Sequence, residues 1–260
     1  MLPNSSPQGM EKYLTDNLAI DITFDLVLKE ELLRAELISA PLTILILLFV
    51  FGTVVSASLP ALSGIYTVIA AVGIIHGLTY VVDDLTVYAV NIVSLLGIGL
   101  SVDYSLFIVN RFREELGRGH DKRTAIAMTS ATAGRAILFS GLTVIAGLTG
   151  MLFFENTGLP SLGWGGICAT LVALTSSVIL LPSILAILGD RINSGRVPLG
   201  LSTEVADDGF WSDLAKRVMS KPLSFLVPSV LILLVAGAPF LQAEWGITSW
   251  KALSLSLIHI

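Results

Sequence analysis

The residue best suited to chemistry in this sequence is Asp103, the one acid within its long apolar blocks. An ionised side chain in hydrocarbon costs a few kcal/mol or more, so such residues usually face a protein interior and take part in function. No other charge lies in the stretch from Asn91 to Asn110. A carboxyl group that takes up a proton on one side of a membrane and releases it on the other is a proton carrier. The sequence predicts this role for Asp103.

Tyr104 follows directly, and its phenol can donate a hydrogen bond to a carboxylate or relay a proton. Successive side chains of a helix point about 100° apart, so we expect the partner of Tyr104 to lie on another helix. Asp103 and Tyr104 are the predicted proton relay. The alternative is that Asp103 only holds helices together through a hydrogen bond.

The helix around Asp103 carries small and weakly polar residues. Gly99 lies one turn before the acid and leaves room for a partner to approach. The residues that share the helical face of Asp103 are Ile92, Leu96, Gly99 and Asn110. The small residues beside this face, which permit close packing and offer hydroxyl partners, are Ser94, Gly97, Ser101 and Ser105. A second small, polar stripe, which suits either close packing or a solvated proton path, is Ser140, Thr143, Gly147 and Gly150.

These residues must be positioned by membrane-spanning helices. The chain has 260 residues, of which 54% are hydrophobic and only 13% charged. A soluble domain carries about 25% charged residues, and uniformly apolar blocks of about 20 residues predict helical spans. The fold class predicted is an all-α polytopic membrane protein. Its six predicted spans are 38–59, 61–82, 85–110, 136–154, 162–188 and 223–241, with Pro60 and Ser63-Gly64 marking a tight turn between the first two.

The lysines and arginines predict the orientation of the spans. Eleven of the fifteen lie in two links, 111–135 and 189–222, while residues 83–84 and 155–161 carry only acids among their charges. By the positive-inside rule both basic links are cytoplasmic, so both ends of this chain lie outside. The domains predicted are 1–37 outside, a five-helix bundle at 38–188 with the basic loop 111–135, a cytoplasmic linker at 189–222, the sixth span at 223–241 and an external segment at 242–260.

Several segments carry no predicted chemistry. Residues Asp25 to Leu37 are predicted to form an amphipathic helix at the outer membrane surface or the last turns of an external domain. The final residues, KALSLSLIHI, resemble a translated sequencing adapter, and we expect them to be artificial. Cys168 is predicted to be a small buried hydrophobe, His76 a satisfied or interfacial histidine and His120 a solvated one.

The stretch 101–154 resembles the MmpL family of the RND superfamily of transporters. The matching features are Asp103-Tyr104, the basic turn Arg111-Phe112-Arg113-Glu114-Glu115 and the tetrapeptide Thr132-Ala133-Gly134-Arg135. The resemblance extends over most of the chain and implies helices two to seven of an RND-type bundle, six transmembrane helices following the end of the first external domain.

For the intact protein, the resemblance implies export of lipids or other hydrophobic compounds from a bacterial cell (plasma) membrane, driven by the proton gradient. The family places one Asp-Tyr pair in each of two halves. Asp103 and Tyr104 match the first pair, and the partner half would supply the second. The implied partners are therefore the lipid bilayer, protons, a hydrophobic or lipid substrate and the second half of the same protein.

Other functions fit the residues less well. An intramembrane aspartyl protease needs two carboxylates at one site, and the spans hold one acid, so no catalytic residue and no enzyme is predicted. The sequence lacks a GxxxxGK[ST] motif and a basic patch with interleaved aromatic residues, which argues against ATP and nucleic acid. No cofactor or metal is predicted. A non-pumping RND relative, sterol-sensing-like or assisting protein translocation, stays an alternative.

Overall fold

The computed structural model describes residue 34 and residues 37–82, 85–154, 158–197 and 210–242. Within these ranges there are helices and one isolated bridge, between Thr53 and Arg196, but no strand. Five helical stretches of the described residues are long and apolar enough to cross a membrane: Val54–Leu78, Val87–Gly117, Lys122–Phe153, Leu159–Asn193 and Pro222–Leu241. The predicted fold class, an all-α polytopic membrane protein, is confirmed.

The helices are numbered along the chain. They are α1 (Leu37–Phe51), α2 (Val54–Leu78), α3 (Val87–Gly117), α4 (Lys122–Thr129), α5 (Arg135–Thr149), α6 (Leu159–Thr175), α7 (Leu181–Leu188), α8 (Phe210–Ser220) and α9 (Pro222–Gly237). The chain divides into two compact units, and Glu36–Thr203 holds α1 to α7. In the other unit, α8 is followed at once by α9.

The turn predicted at Pro60 and Ser63-Gly64 is wrong. The chain turns at Gly52, whose φ of 65° is open to glycine because it has no Cβ, and Thr53 is extended. Pro60 lies inside α2, and membrane-spanning helices tolerate proline in their interior. The first predicted span therefore ends early, at Phe51, and α1 is shorter than the spanning helices.

The basic segment 111–135 is mostly helical rather than a loop. Helix α3 continues past Asn110 to Gly117, and α4 begins at Lys122 after a short turn. Asp121 caps α4, accepting hydrogen bonds from the Thr124 hydroxyl at 2.6 Å and the Arg123 amide at 3.1 Å. These bonds, the one from Thr124 foremost, hold the pKa of Asp121 below its usual value.

The predicted linker 189–222 also contains structure. A 3-10 turn covers Gly189–Asn193, and α8 occupies Phe210–Ser220. Residues 198–209 between them lie outside the described residues. So do residues 1–33, with most of the predicted amphipathic helix, and the tail from residue 243 onward.

Two π-helical turns interrupt the long helices of the bundle. One, Ser130–Gly134, joins α4 to α5, and the other, Ser176–Leu180, joins α6 to α7. Pro182 follows the second turn directly and lies inside the continuous helical stretch Leu159–Asn193, where it removes one backbone donor. Such turns change the direction of a helix and are frequent at functional sites.

The bundle is built on α2, α3 and α6, which pack against one another, with α5 packed on α6. Glycines allow the closest approach: a Cβ on Gly165 of α6 would overlap the backbone oxygen of Ala89 in α3. One apolar cluster surrounds Phe51 and Phe112, and a second surrounds Val93 and includes the buried Cys168, as predicted for a small hydrophobe. This packing fixes α3, and with it Asp103, in the bundle.

Candidate functional site

Asp103 lies on the exposed side of α3. Its neighbours one turn away along this side are Gly99 and the exposed Phe107, and Leu95 continues the same face. A Cβ on Gly99 would have no atom within 4 Å, so the space predicted there is confirmed. Within the described part of the chain, no hydrogen bond or ion pair involves Asp103. The carboxylate therefore faces outward from Glu36–Thr203 and is available to another surface.

The Tyr104 side chain lies in the interior of the bundle, whereas Asp103 is exposed. Its side chain is 7% exposed and belongs to the main apolar cluster. Its hydroxyl has no hydrogen-bond partner among the residues that the structure covers. The two predicted relay residues are thus adjacent in sequence, but no hydrogen bond joins their side chains.

A network of buried hydroxyl groups connects three helices beside Tyr104. Ser63 of α2 lies 2.8 Å from Ser101 of α3 and 3.0 Å from Ser176 after α6, measured between Oγ atoms. Thr67 donates to Ser101 at 3.0 Å. Satisfied hydroxyls of this kind hold membrane helices together. The sequence analysis named Ser101 but assigned Ser63 to a turn and missed Thr67, although their spacing of four residues places both on one face of α2.

Two further buried serines lie next to this hydroxyl network in the sequence but make no hydrogen bond to it. Ser105 of α3 and Ser177 are fully buried, and their hydroxyls have no partner in the described ranges. Ser105 lies one turn beyond Ser101, and Ser177 adjoins Ser176. A buried hydroxyl without a partner costs free energy. Ser105, the residue after Tyr104, and Ser177 therefore each place an unsatisfied polar group in the apolar interior.

The predicted stripe on α5 does not pack within this unit. Ser140, Thr143, Gly147 and Gly150 are all exposed. A Cβ on either glycine would have no atom within 4 Å, and Thr143 donates only to the Phe139 carbonyl of its own helix. The faces of α3 and α5 that carry the predicted site residues are thus both uncovered here.

An ion cluster closes the basic end of α3. Glu115 is fully buried, and its carboxylate lies 2.6 Å from Arg111, 2.7 Å from Arg118 and 2.8 Å from His120 Nδ1. His120 is exposed to solvent, as predicted, and its Nδ1 atom also contacts the Glu115 carboxylate. The sequence analysis named Glu115 as part of the basic turn but gave it no role, although Arg111 at i−4 and Arg118 at i+3 mark it as the centre of a helical charge group.

The same end of the bundle is held by Arg113. Its guanidinium donates to the Phe51 carbonyl and to Asn193 Oδ1, both at 2.9 Å. Backbone hydrogen bonds from Val54 to the Gly195 carbonyl and from Val197 to the Gly52 carbonyl complete the contact. The turn after α1, the end of α3 and the segment after α7 therefore meet at one end.

Comparison with known proteins identifies the group to which these features belong. The profile of the MMPL family matches residues 4–225. The chain belongs to the MMPL family. It is similar to the mycolic acid-containing lipids exporter MmpL11 of Mycolicibacterium smegmatis, with 35% identity over 247 residues, 94% of this chain and 26% of that protein. It is also similar to the trehalose monomycolate exporter MmpL3 of Mycobacterium tuberculosis, with 33% identity over 246 residues, 85% of this chain and 26% of that protein.

A third MMPL relative, the trehalose monomycolate exporter MmpL3 of Mycolicibacterium smegmatis, is 32% identical over 254 residues, 86% of this chain and 25% of that protein. This chain therefore spans about a quarter of the length of the curated relatives it matches. Together with the apolar helices, these matches show a multi-pass membrane protein of the MMPL family. Among the described residues, no group of three or more His, Cys, Asp or Glu side chains could hold a metal ion.

Proposed function

We propose that this MMPL chain is part of a secondary transporter that uses the proton gradient to export lipids or other hydrophobic compounds, with Asp103 and Tyr104 in its proton relay. The observation that carries the proposal is the position of Asp103, an acid in the middle of a spanning helix, on an outward face and without a partner in the described bundle. A proton carrier needs such a carboxyl group, whereas a structural acid needs a partner.

The exposure of the Asp103 carboxylate in this bundle also indicates what lies against it in the intact protein. A charged group facing lipid costs about 3 kcal/mol or more, so intramembrane acids face protein or a water-filled cavity. We infer that the uncovered faces of α3 and α5 meet a second half of the same protein. The relatives support this, since each is about four times as long as the matched region. That half is the proposed source of a second Asp-Tyr pair.

The proposed cargo rests on the relatives. Two of them are named as exporters, one of mycolic acid-containing lipids and the other of trehalose monomycolate. Lipids or similarly hydrophobic compounds are therefore the substrate class proposed for the protein that contains this chain.

The proposed location is a bacterial plasma membrane, with the basic end of the bundle in the cytoplasm. The contacts of Arg113 place the turn at Gly52-Thr53 at the same end as Arg111, Arg118 and Arg196. Concentration of positive charge at one end supports a cytoplasmic location for that end. Residues 1–37 and the end of the chain at 242–260 then lie outside.

The test is export by the full-length protein in proteoliposomes under an imposed pH gradient. We expect Asp103→Asn to abolish export of a labelled lipid while membrane insertion and abundance stay normal. Asp121→Asn makes the same change of charge at the start of α4, outside the spanning apolar stretch, and should leave export intact. Full export by Asp103→Asn would refute the relay, and no export by the unchanged protein would favour a non-pumping RND relative.

A further inference from the structure

A groove of about 430 Å³ opens between α3 and the π-helical turn that precedes α5. Its lining residues are Leu106, Phe107, Asn110, Arg111, Glu114, Thr132, Ala133 and Ala136. Liquid water occupies about 30 Å³ per molecule, so the groove has room for roughly ten waters. The groove is thus large enough to hold a continuous file of water.

The groove continues the face of α3 that carries Asp103. Phe107, Asn110 and Glu114 follow the acid at intervals of four, seven and eleven residues, which places all of them on one side of the helix. Eleven residues of α-helix extend about 16 Å. The groove therefore starts one turn from Asp103 and leads to the basic end of the bundle.

Part of the groove lining is polar, on both of its sides. Arg111 donates from Nε to Thr132 Oγ1 at 3.3 Å and pairs with Glu114 at 2.7 Å. Asn110 has no hydrogen-bond partner among the residues described, so its amide is available to water in the groove. The apolar lining residues, Leu106 on α3 and Ala133 and Ala136 on the other side, do not compete for that water.

The charges beside the groove are balanced. Arg111, the cation in its lining, is paired with both Glu114 and the buried Glu115. A compensated guanidinium repels a passing proton less than an isolated one, because the acids beside it cancel most of its field at short range. The Arg111 guanidinium reaches from α3 to Thr132 on the other side of the groove, and the two carboxylates hold it there.

The π-helical turn Ser130–Gly134 forms the second side of the groove. Such a turn takes in an extra residue, and Thr132 and Ala133 from this one line the groove opposite α3. The Thr132 hydroxyl also donates to the Met128 carbonyl at 2.7 Å, which fixes its position. A polar oxygen is thereby held at the groove wall facing Asn110 and Arg111.

We infer that this groove is the hydrated route by which protons pass between Asp103 and the basic end of the bundle, with the Asn110 amide and the Thr132 hydroxyl positioning the water. The inference rests on the proposed proton relay. Asn110 and Thr132 are positioning residues, since neither carries the proton charge itself. Phe107 lines the groove one turn after Asp103, at the end of the groove nearest the acid.

The test uses the full-length protein with Cys168→Ala, which removes the one cysteine of this chain, and with every cysteine in the rest of the protein replaced by alanine. Cysteine is then introduced singly at Asn110 or Thr132, and each variant is treated with the membrane-impermeant reagent sulfonatoethyl methanethiosulfonate. Arg118→Cys, at the solvent-exposed end of α3, is the positive control. Ile69→Cys, 69% exposed in the middle of α2 and away from the groove, is the lipid-facing control.

We expect both groove cysteines to react from the basic side of the membrane only, and the attached charged group to remove the pH-gradient-driven export that the variant has. Ile69→Cys should not react. If Arg118→Cys reacts while neither groove cysteine does, the groove is filled by protein or lipid and the inference is wrong. That result leaves the relay itself standing, because the relay depends on Asp103→Asn abolishing export.

Discussion

Asp103 and Tyr104 are adjacent in α3, yet Asp103 faces out of the bundle while the Tyr104 side chain is 7% exposed. The Tyr104 hydroxyl has no partner in the described structure, although Ser101, three residues earlier in α3, belongs to the network of buried hydroxyls. A relay that uses both residues must therefore link an outward carboxyl group to an inward phenol. The two residues then have separable effects on stability and transport.

We predict that Tyr104→Phe abolishes or strongly reduces proton-coupled export without destabilising the protein. Removal of a buried hydroxyl that lacks a partner should change the free energy of unfolding by less than about 1 kcal/mol, or raise it. Export in proteoliposomes and unfolding in mixed micelles measure the two effects. Normal export by Tyr104→Phe, with normal stability, would show that the phenol is only a packing group.

Helix packing gives a second prediction, at Gly165. A Cβ at this position would overlap both the Ala89 carbonyl oxygen and the Ile92 side chain of α3. A backbone atom cannot move aside as a flexible side chain can, so α3 and α6 must separate. We expect Gly165→Ala to lower the free energy of unfolding by about 1–3 kcal/mol, the usual cost of overpacking. Equilibrium unfolding in detergent measures this loss.

The matched control for this packing prediction is Gly73→Ala in α2. Gly73 is also a helical glycine, but a Cβ there would have no atom within 4 Å. Alanine favours a helix over glycine, so the change should be neutral or stabilising by up to about 1 kcal/mol. Equal destabilisation by both substitutions would contradict a specific close contact at Gly165.

Much of this fold could be predicted from the sequence because hydrocarbon imposes a simple rule. A chain in lipid must satisfy its own backbone, so uniformly apolar blocks become helices, and the spans around Asp103, Ser140 and Cys168 were found in this way. The open space at Gly99 was also predictable, because a glycine has no side chain and lies one turn from Asp103 on the same face. Asp103 stands out because any charge in such a block is costly.

The rest depended on tertiary contacts that a single sequence does not reveal. Pro60 and Gly64 are ordinary turn signals, but here both lie inside α2. The turn lies at Gly52, where Arg113 and the segment after α7 hold it. Burial of Tyr104 beside an exposed Asp103 depends on which helices lie on each side. The relay role of both residues stays a prediction.

The ion cluster at the end of α3 gives a prediction with an internal control. Glu115 is fully buried between Arg111, Arg118 and His120, whereas Glu114, which also pairs with both arginines, is 36% exposed. Neutralising the buried acid leaves cations without compensation, so Glu115→Gln should lower the free energy of unfolding by about 2–3 kcal/mol. Glu114→Gln makes the same chemical change in a screened position and should cost less than about 1 kcal/mol. Unfolding in detergent compares them directly, and equal losses would mean that burial of Glu115 does not control the stability of this end.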